Sequence, residues 1–254
     1  MGCILEVEHL KMYFGGVRAV DDLTFHVNEH ELVGIIGPNG SGKTTVFNGV
    51  TGIYQPTGGK VIFDGKDITG QPLRNMVYLG IARTFQNLRI FKAMTVLDNI
   101  MIGETKNNHS NLFNAILHTP RYRKYEKEAK QNALEMLELT GLTKWQNEYV
   151  GSLPYGIQKR IEFARAVVVN PALLLLDEPA AGLNSKEAEE LMDLIIRVKN
   201  EKKFTIVMID HNMKIMMRSA ERIIAMETGK LLAEGTPSEI QNNPNVIKAY
   251  LGEG

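Results

Sequence analysis

The segment GPNGSGKT at residues 37–44 places the strongest constraint on how this chain folds. It directly follows LVGII, an unbroken apolar run of the kind that forms a strand buried on both faces of a sheet. The residues after it, TTVFNGVTGI, can form a helix. A buried strand, a glycine-rich loop and a helix in this order indicate the repeating unit of an α/β fold.

The residue types in this segment are those that a phosphate-binding loop requires. Gly37, Gly42, Lys43 and Thr44 match the P-loop pattern, in which glycines let backbone N–H groups approach phosphate oxygens and the helix N-terminus adds its dipole. Lys43 is expected to reach the β- and γ-phosphates, and the Thr44 hydroxyl is expected to bind Mg²⁺. A chance glycine-rich turn is the alternative, and the flanking strand and helix disfavour it. The residues expected to bind the nucleotide here are Gly37, Pro38, Asn39, Gly40, Ser41, Gly42, Lys43, Thr44 and Thr45.

The pattern of strands and helices changes twice along the chain. The first third is mostly strand-like, and residues from about 95 to 166 have a helical pattern with Gly141 at one helix end. Buried strands then alternate with an amphipathic helix that Asn184 and Glu187 are expected to cap. This alternation predicts a mainly parallel sheet with a helical lobe inserted into it.

Local signals predict several turns and helix starts in the last hundred residues. The stretch RIIAMETGKLLAEG reads as a hairpin that turns at Thr228 and Gly229. Thr236, Pro237 and Glu239 form a helix start, and Asn243-Pro244 repeats it. Pro154 is expected in the first turn of the helix that contains IEFARAVVV.

Two acidic residues end the apolar run LLLLDEP. Asp177 is expected to orient Mg²⁺ or its waters, and Glu178 to polarise a water for attack on the γ-phosphate. Acids after an apolar strand are usually plain turn residues, and only the phosphate-binding loop shifts the balance toward catalysis. His211 follows a second buried strand, so it reaches the same carboxyl edge, and we interpret it as a γ-phosphate sensor rather than a structural histidine. Gln86, in ARTFQNL, is uninformative by itself.

Composition narrows the classes of function that remain. Lys plus Arg and Asp plus Glu each number 29, so the chain lacks the basic excess of a nucleic-acid-binding protein. Cys3 is the single cysteine, which excludes an intramolecular disulfide and weakly fits a reducing cytosol. No apolar run approaches the ~18 residues that a membrane helix needs, so any membrane role is expected to come through partners.

Taken together, the motifs resemble those of the ATP-binding cassette family of transport ATPases. The series is GPNGSGKT, then Gln86, then SLPYGIQKR, then LLLLDEP, then His211, and it covers nearly the whole chain. The resemblance implies an α/β, RecA-like P-loop NTPase core with an antiparallel β subdomain and an inserted α-helical subdomain. It implies that residues 1–254 form one nucleotide-binding domain, with the helical subdomain at approximately 95–166. It also implies a head-to-tail dimer that holds two ATP molecules between its subunits.

The resemblance assigns further residues to the nucleotide site. Tyr13 matches the aromatic residue that stacks on adenine, although a half-buried strand residue is the alternative. Gln86 matches a glutamine that senses Mg²⁺ and the membrane subunit, and Asn184 belongs to the loop after the catalytic acid.

A signature loop, which contacts the ATP bound by the opposite subunit, corresponds to Leu153, Pro154, Tyr155, Gly156 and Ile157. Proline replaces the usual serine of this loop, tyrosine its first glycine and isoleucine its glutamine. Loss of the serine hydroxyl is expected to weaken the phosphate contact rather than abolish it.

A narrower resemblance is to the ATPases of branched-chain amino acid importers. It rests on YGIARTFQNLRIFKAMTVLDNI, AGLN, the insertion near 104–125 and the ending VIKAYLGEG. It implies membrane permease subunits, a second ATPase subunit in a heterodimer or a homodimer, and indirectly a solute-binding protein. It also implies no nucleic acid and a peripheral position on the cytoplasmic side of the membrane. The alternatives are an ATPase for another solute, such as urea, an amide or lipopolysaccharide, and a weakly hydrolysing nucleotide-binding regulator.

Overall fold

The structure is a computed structural model that describes residues 2–86, 88–104 and 119–251. The strands are β1 (Cys3–Phe14), β2 (Val17–Asn28), β3 (Leu32–Ile36), β4 (Gly58–Phe63), β5 (Lys66–Asp67), β6 (Ile81–Arg83), β7 (Leu173–Asp177), β8 (Thr205–Ile209), β9 (Arg222–Glu227) and β10 (Lys230–Gly235). The helices, numbered over the described residues, are α1 (Lys43–Val50), α2 (Leu73–Leu79), α3 (Val96–Gly103), α4 (Pro120–Leu139), α5 (Tyr155–Val167), α6 (Ser185–Lys202), α7 (Met213–Ser219), α8 (Pro237–Gln241) and α9 (Pro244–Leu251).

The strands form two sheets that differ in strand direction. The four-stranded sheet, β2-β1-β4-β5, is antiparallel. The six-stranded sheet has the order β10-β9-β3-β8-β7-β6, in which β10 is antiparallel to β9 and the other five strands are parallel. Asp177 at the end of β7 is level with Ile209 at the end of β8. The residues that follow these two strands therefore emerge together at one edge of the sheet.

The parallel sheet lies between two hydrophobic clusters. Every residue of β3, β7 and β8 is buried, as the unbroken apolar runs predicted. Because successive side chains of a strand point to opposite faces, Leu174 and Leu176 pack in the cluster that includes α5 and α6, while Leu173 and Leu175 pack in the cluster that includes β1, β2 and α1. The phosphate-binding loop is thus anchored on a strand that is buried on both sides.

Helices α3, α4 and α5 lie between β6 and β7 in the chain. α3 packs against both α4 and α5, and Ile100, Leu137 and Ile161 are fully buried where they meet. The predicted insertion near 104–125 falls largely on residues 105–118, which lie outside the described residues. The limits proposed for a helical subdomain, about 95–166, stay a prediction.

Several predicted turns and helix ends are confirmed by their hydrogen bonds and dihedral angles. Asn184 forms a reciprocal capping box with Glu187 at the start of α6, and Thr236 forms one at the start of α8. The turn between β9 and β10 has φ of 46° at Thr228 and 78° at Gly229, the pair of positive angles that tight hairpins favour.

The prediction that Pro154 lies in the first turn of a helix is wrong by one position. α5 begins at Tyr155, and Pro154 is its N-cap residue with φ −54° and ψ 149°. The proline ring restricts φ but not ψ, so Pro154 can adopt the extended ψ that is typical of an N-cap residue. Pro154 therefore ends the incoming loop and fixes the direction from which the helix starts.

In the described ranges, each helix is too short or too polar to cross a lipid bilayer.

Candidate functional site

The predicted phosphate-binding loop connects β3 to α1, and close contacts fix its glycines. A Cβ added to Gly42, where φ is 99°, would lie 2.3 Å from the Ala19 carbonyl oxygen. A Cβ added to Gly37 would lie 2.2 Å from the Met226 carbonyl oxygen. Only glycine fits these positions without displacing backbone. The remaining predicted nucleotide-binding residues lie in this loop and in the first turn of α1. They are Pro38, Asn39, Gly40, Ser41, Lys43, Thr44 and Thr45.

The Lys43 side chain folds back over this loop. Its Nζ donates to the carbonyl oxygens of Gly37 and Pro38 at 2.8 Å each and lies 3.4 Å from Ser41 Oγ. Burial lowers the pKa of Lys43, whereas the negative charges of Glu178 and Asp177 oppose that shift. The loop therefore holds a cation at the place where incoming phosphate oxygens would compete with backbone carbonyls for it.

Three predicted catalytic residues, far apart in sequence, meet at the carboxyl edge of the parallel sheet. Gln86 Nε2 donates to Glu178 Oε2 at 3.2 Å, and His211 Nδ1 lies 3.6 Å from the same oxygen. Glu178 has φ of 49°, a strained conformation for a residue other than glycine, and its N–H donates to the Ile209 carbonyl at 2.8 Å. The Glu178 side chain is 20% exposed, so this arrangement places a partly shielded carboxylate at an edge that water can reach.

Asp177 lies deeper than Glu178 and is held by an arginine. Its Oδ2 accepts a hydrogen bond from Arg83 Nη2 at 2.8 Å. Arg83 Nη1 also donates to Asn48 Oδ1 at 2.8 Å and to Thr51 Oγ1 at 3.1 Å. Burial raises the pKa of Asp177, and the hydrogen bond from Arg83 opposes that rise. Arg83 thus joins the end of β7 to the end of α1.

Sequence reasoning did not select Arg83. The sequence does contain one indication of its role. Arg83 is a charged residue at the end of the short strand β6, three positions before Gln86. The pairing of β6 with β7 brings Arg83 to the end of β7, and the sequence does not reveal this pairing.

Replacing Arg83 with lysine is expected to lower the free energy of unfolding by about 1–3 kcal/mol. A lysine ammonium lacks the planar fork of the guanidinium, so it cannot reach Asp177, Asn48 and Thr51 together. Denaturant unfolding of the purified chain, followed by circular dichroism, measures the change.

Arg218→Lys is the matched control for this substitution. Arg218 is half exposed and pairs with Glu189 and Asp193 at the surface, where an ion pair contributes about 0–1 kcal/mol. If the Arg83 and Arg218 variants lost equal stability, the planar geometry of Arg83 would not be what holds Asp177.

The donors near the loop fit a magnesium ion. Asp177 Oδ1 is buried and makes no hydrogen bond with the described part of the chain, and the Thr44 hydroxyl lies in the exposed first turn of α1. Mg²⁺ commonly takes only one or two protein oxygens and completes its shell with phosphate oxygens and water. Consistent with this, no group of three or more His, Cys, Asp or Glu residues gathers as a metal site within the described ranges.

Tyr13, predicted to stack on adenine, lies near the end of β1 and is half-buried. Its hydroxyl donates to Asp21 Oδ1 at 2.5 Å, and the Arg18 guanidinium lies 5.4 Å from the ring centroid. That hydrogen bond is the main cause of the raised pKa of Tyr13. These contacts orient the ring, while its role in binding a base stays a prediction.

The predicted signature loop lies beside the loop that contains Asn184. A Cβ added to Gly182 would lie 3.0 Å from the Tyr155 ring, and one added to Gly156 would lie 3.3 Å from Glu187 Oε1. Among the described residues, no hydrogen bond joins residues 153–157 to the phosphate-binding loop. Leu153, Pro154, Tyr155, Gly156 and Ile157 thus lie at and just before the start of α5, and Tyr155 and Gly156 lie next to the loop that leads to Asn184.

Two parts of the chain match known protein families. Residues 20–181 match the ABC transporter family, and residues 230–254 match a family described as branched-chain amino acid ATP-binding cassette transporter. The chain belongs to the ABC transporter family, in which it is an ATP-binding ATPase subunit. The predicted RecA-like P-loop core with its antiparallel sheet is thereby confirmed.

The similar proteins point to one branch of this family. The chain is 46% identical over 250 residues to the high-affinity branched-chain amino acid transport ATP-binding protein BraF of Pseudomonas aeruginosa. It is 44% identical over 250 residues to the corresponding protein LivG of Escherichia coli. Each alignment covers 98% of both chains.

Solved structures agree with this assignment. The ADP conformation of an ATP-binding cassette of an ABC transporter is 32% identical, with a TM-score of 0.86 and full coverage of both chains. A dimeric cassette in a post-hydrolysis state, bound to ADP and phosphate, is 26% identical with a TM-score of 0.75, over 92% of this chain and 99% of that one. Members of the family bind nucleotide, form dimers and work with membrane permease subunits.

Proposed function

We propose that this chain hydrolyses ATP to drive the uptake of branched-chain amino acids across the cytoplasmic membrane, on whose cytoplasmic face it is held by permease subunits. The observation that carries the hydrolytic role is the convergence of Gln86 and His211 on the Glu178 carboxylate, at the sheet edge beside the phosphate-binding loop. The solute is inferred from the relatives BraF and LivG, since no residue of this chain is expected to touch the amino acid.

The remaining alternatives have less support. The match of residues 230–254 to the branched-chain family favours these amino acids over urea, amides and lipopolysaccharide. A weakly hydrolysing regulator would not need the set of Lys43, Asp177, Glu178 and His211, all of which are present.

In the proposed reaction the side chains of this chain act mainly by holding charge and moving one proton. Lys43 exchanges its contacts with the Gly37 and Pro38 carbonyls for oxygens of the β- and γ-phosphates, and N–H groups of the loop and of α1 neutralise the rest of their charge. Thr44, Asp177 and Gln86 would hold Mg²⁺, which supplies charge neutralisation for the phosphate oxygens.

Glu178 is the proposed base. Its Oε2 accepts a proton from water as the water oxygen bonds to the γ-phosphorus, and the bond from that phosphorus to the β-bridging oxygen breaks to leave ADP. Gln86 Nε2 and His211 Nδ1 lie 3.2 Å and 3.6 Å from the accepting oxygen and hold it in position.

The signature loop is proposed to serve the ATP bound by a second ATPase subunit. Within the described ranges these residues make no hydrogen bond to residues 37–44 of the same chain, and this supports the arrangement. The N-terminus of α5, beginning at Tyr155, offers backbone N–H groups and a favourable dipole to a phosphate. These N–H groups and the helix dipole can act without the serine hydroxyl that this loop lacks. A head-to-tail dimer, with Tyr13 of this chain stacked on the adenine of the ATP that this chain binds, would use all the predicted residues.

A groove beside Gln86 is proposed as the place where the permease docks. Its volume is about 430 Å³, and its walls include Leu73, Phe85, Phe91 and Arg165. Phe91 is 50% exposed and Leu73 39% exposed, so an apolar patch lies open next to the catalytic glutamine. Movement of a partner here would reach Gln86 through its chain neighbour Phe85.

The test uses the complete complex reconstituted in proteoliposomes with its permease subunits, second ATPase subunit and solute-binding protein. We expect ATP-dependent uptake of radiolabelled leucine, isoleucine or valine, and no uptake of radiolabelled urea. Uptake of urea without any branched-chain amino acid would contradict the proposed solute, and ATP hydrolysis that is unaffected by the permease would contradict the proposed coupling.

In the same proteoliposomes, a cysteine placed at Phe91 is expected to crosslink to cysteines in a cytoplasmic segment of the permease. A cysteine at Tyr78, which is 61% exposed on α2 but not in the wall of the groove, is the control. Equal crosslinking from the two positions would reject the groove as the docking surface.

A further inference from the structure

The last described helix reaches the phosphate-binding loop. Near the end of α9, the Tyr250 hydroxyl accepts a hydrogen bond of 2.7 Å from the backbone N–H of Gly37, the first residue of the loop. The two residues are 213 positions apart in the chain. Tyr250 lies within residues 230–254, the part that matches the branched-chain family.

This hydrogen bond acts on the glycine that begins the loop. Gly37 has φ of 154°, and its lack of a side chain leaves the backbone torsions restrained only by their contacts. The N–H of Gly37 is held by Tyr250, and its carbonyl oxygen is held by Lys43 Nζ. Once Lys43 turns to phosphate, the Tyr250 hydroxyl still holds the peptide group that begins the loop.

The hydroxyl, rather than the packing of the ring, makes this connection. The Tyr250 side chain forms one wall of an open apolar groove of about 650 Å³, together with Met213, Met217 and Ile247. Tyr250 remains 40% exposed, so the groove leaves part of the ring uncovered. Burial of the phenol raises the pKa of Tyr250, and the hydrogen bond from the Gly37 N–H opposes that rise.

We propose that Tyr250 is a positioning residue that preorganises the phosphate-binding loop from the C-terminal helix and thereby raises its affinity for nucleotide. The inference rests on the proposed role of residues 37–45 in nucleotide binding. A loop that is already in its bound conformation loses less conformational entropy on binding. A nucleotide therefore binds more tightly while the hydroxyl is in place.

The test compares the full chain with its Tyr250→Phe variant by isothermal titration calorimetry with MgADP. Phenylalanine keeps the ring in the groove and removes only the acceptor for the Gly37 N–H. The net loss of one typical hydrogen bond changes an equilibrium constant by about three- to tenfold. We therefore expect the Kd for ADP to rise about three- to tenfold. ATP turnover of the reconstituted complex at saturating ATP is expected to stay within about twofold, because the hydroxyl does not touch the reacting atoms.

Two further variants separate the hydroxyl from the fold of the tail. Tyr78→Phe removes an exposed hydroxyl from α2, and Ile247→Ala loosens the groove while keeping Tyr250. Both are expected to keep the Kd of the unchanged chain.

A lower melting temperature for Tyr250→Phe with an unchanged Kd would overturn the proposal, as would a rise in Kd of equal size for Ile247→Ala. Failure of the unchanged chain to bind ADP would instead refute the nucleotide site itself, and the role of Tyr250 with it.

Discussion

Glu178→Gln is expected to lower the ATP turnover of the reconstituted complex by about 10²- to 10⁴-fold, the usual contribution of a positioned general base. Glutamine has nearly the same shape as glutamate, so it can still lie next to Gln86 and His211. It cannot accept a proton from water at neutral pH. Steady-state phosphate release at saturating ATP measures the loss.

Nucleotide binding is expected to survive this substitution, because Lys43 and the glycines of the loop are unchanged. ATP that is bound but not hydrolysed keeps the two subunits together, so size-exclusion chromatography of the variant with MgATP is expected to show a stable dimer. This second measurement separates loss of chemistry from loss of folding.

Glu135→Gln is a suitable control for the removal of one carboxylate. Glu135 is an exposed residue of α4 that lies beside Gln131. Its replacement is expected to leave turnover unchanged. Undiminished turnover in the Glu178 variant would remove Glu178 from the role of base.

Lys43→Ala is expected to weaken nucleotide binding by at least about 100-fold. The ammonium of Lys43 would make charge-assisted hydrogen bonds to two phosphate groups, each contributing about 1.5–3 kcal/mol, and 1.4 kcal/mol corresponds to a tenfold change in Kd. Calorimetric titration with MgATP in the Glu178→Gln background measures binding without hydrolysis.

The folded state is expected to tolerate the loss of Lys43 better than nucleotide binding does. Its Nζ contacts carbonyl oxygens of a loop that is partly open to water, so solvent can replace it. Lys60→Ala, at an exposed position of β4, controls for the loss of one positive charge from the surface. Equal ATP affinity in the two variants would show that residues 37–44 do not form the phosphate-binding loop.

The elements that could be predicted share a local physical cause. β3, β7 and β8 are buried on both faces, so their sequences are unbroken apolar runs that need no neighbour to be recognised. The capping box of α6 is formed within the four residues NSKE, from Asn184 to Glu187. It can therefore be predicted from this short segment alone. The error at Pro154 had a local cause too, because proline is compatible with both the N-cap and the first turn.

The glycine-rich loop pattern, the buried strands and the order of the motifs could be read from the sequence, because each depends on neighbours a few positions away. The folded chain was needed to show that Gln86 and His211 meet at one carboxylate oxygen, that Arg83 holds Asp177, and that Tyr250 reaches Gly37. Those contacts join residues up to 213 positions apart in the chain. These contacts depend on the order of the strands and on the packing of the helices. The sequence segments around the two contacting residues do not specify that order or packing.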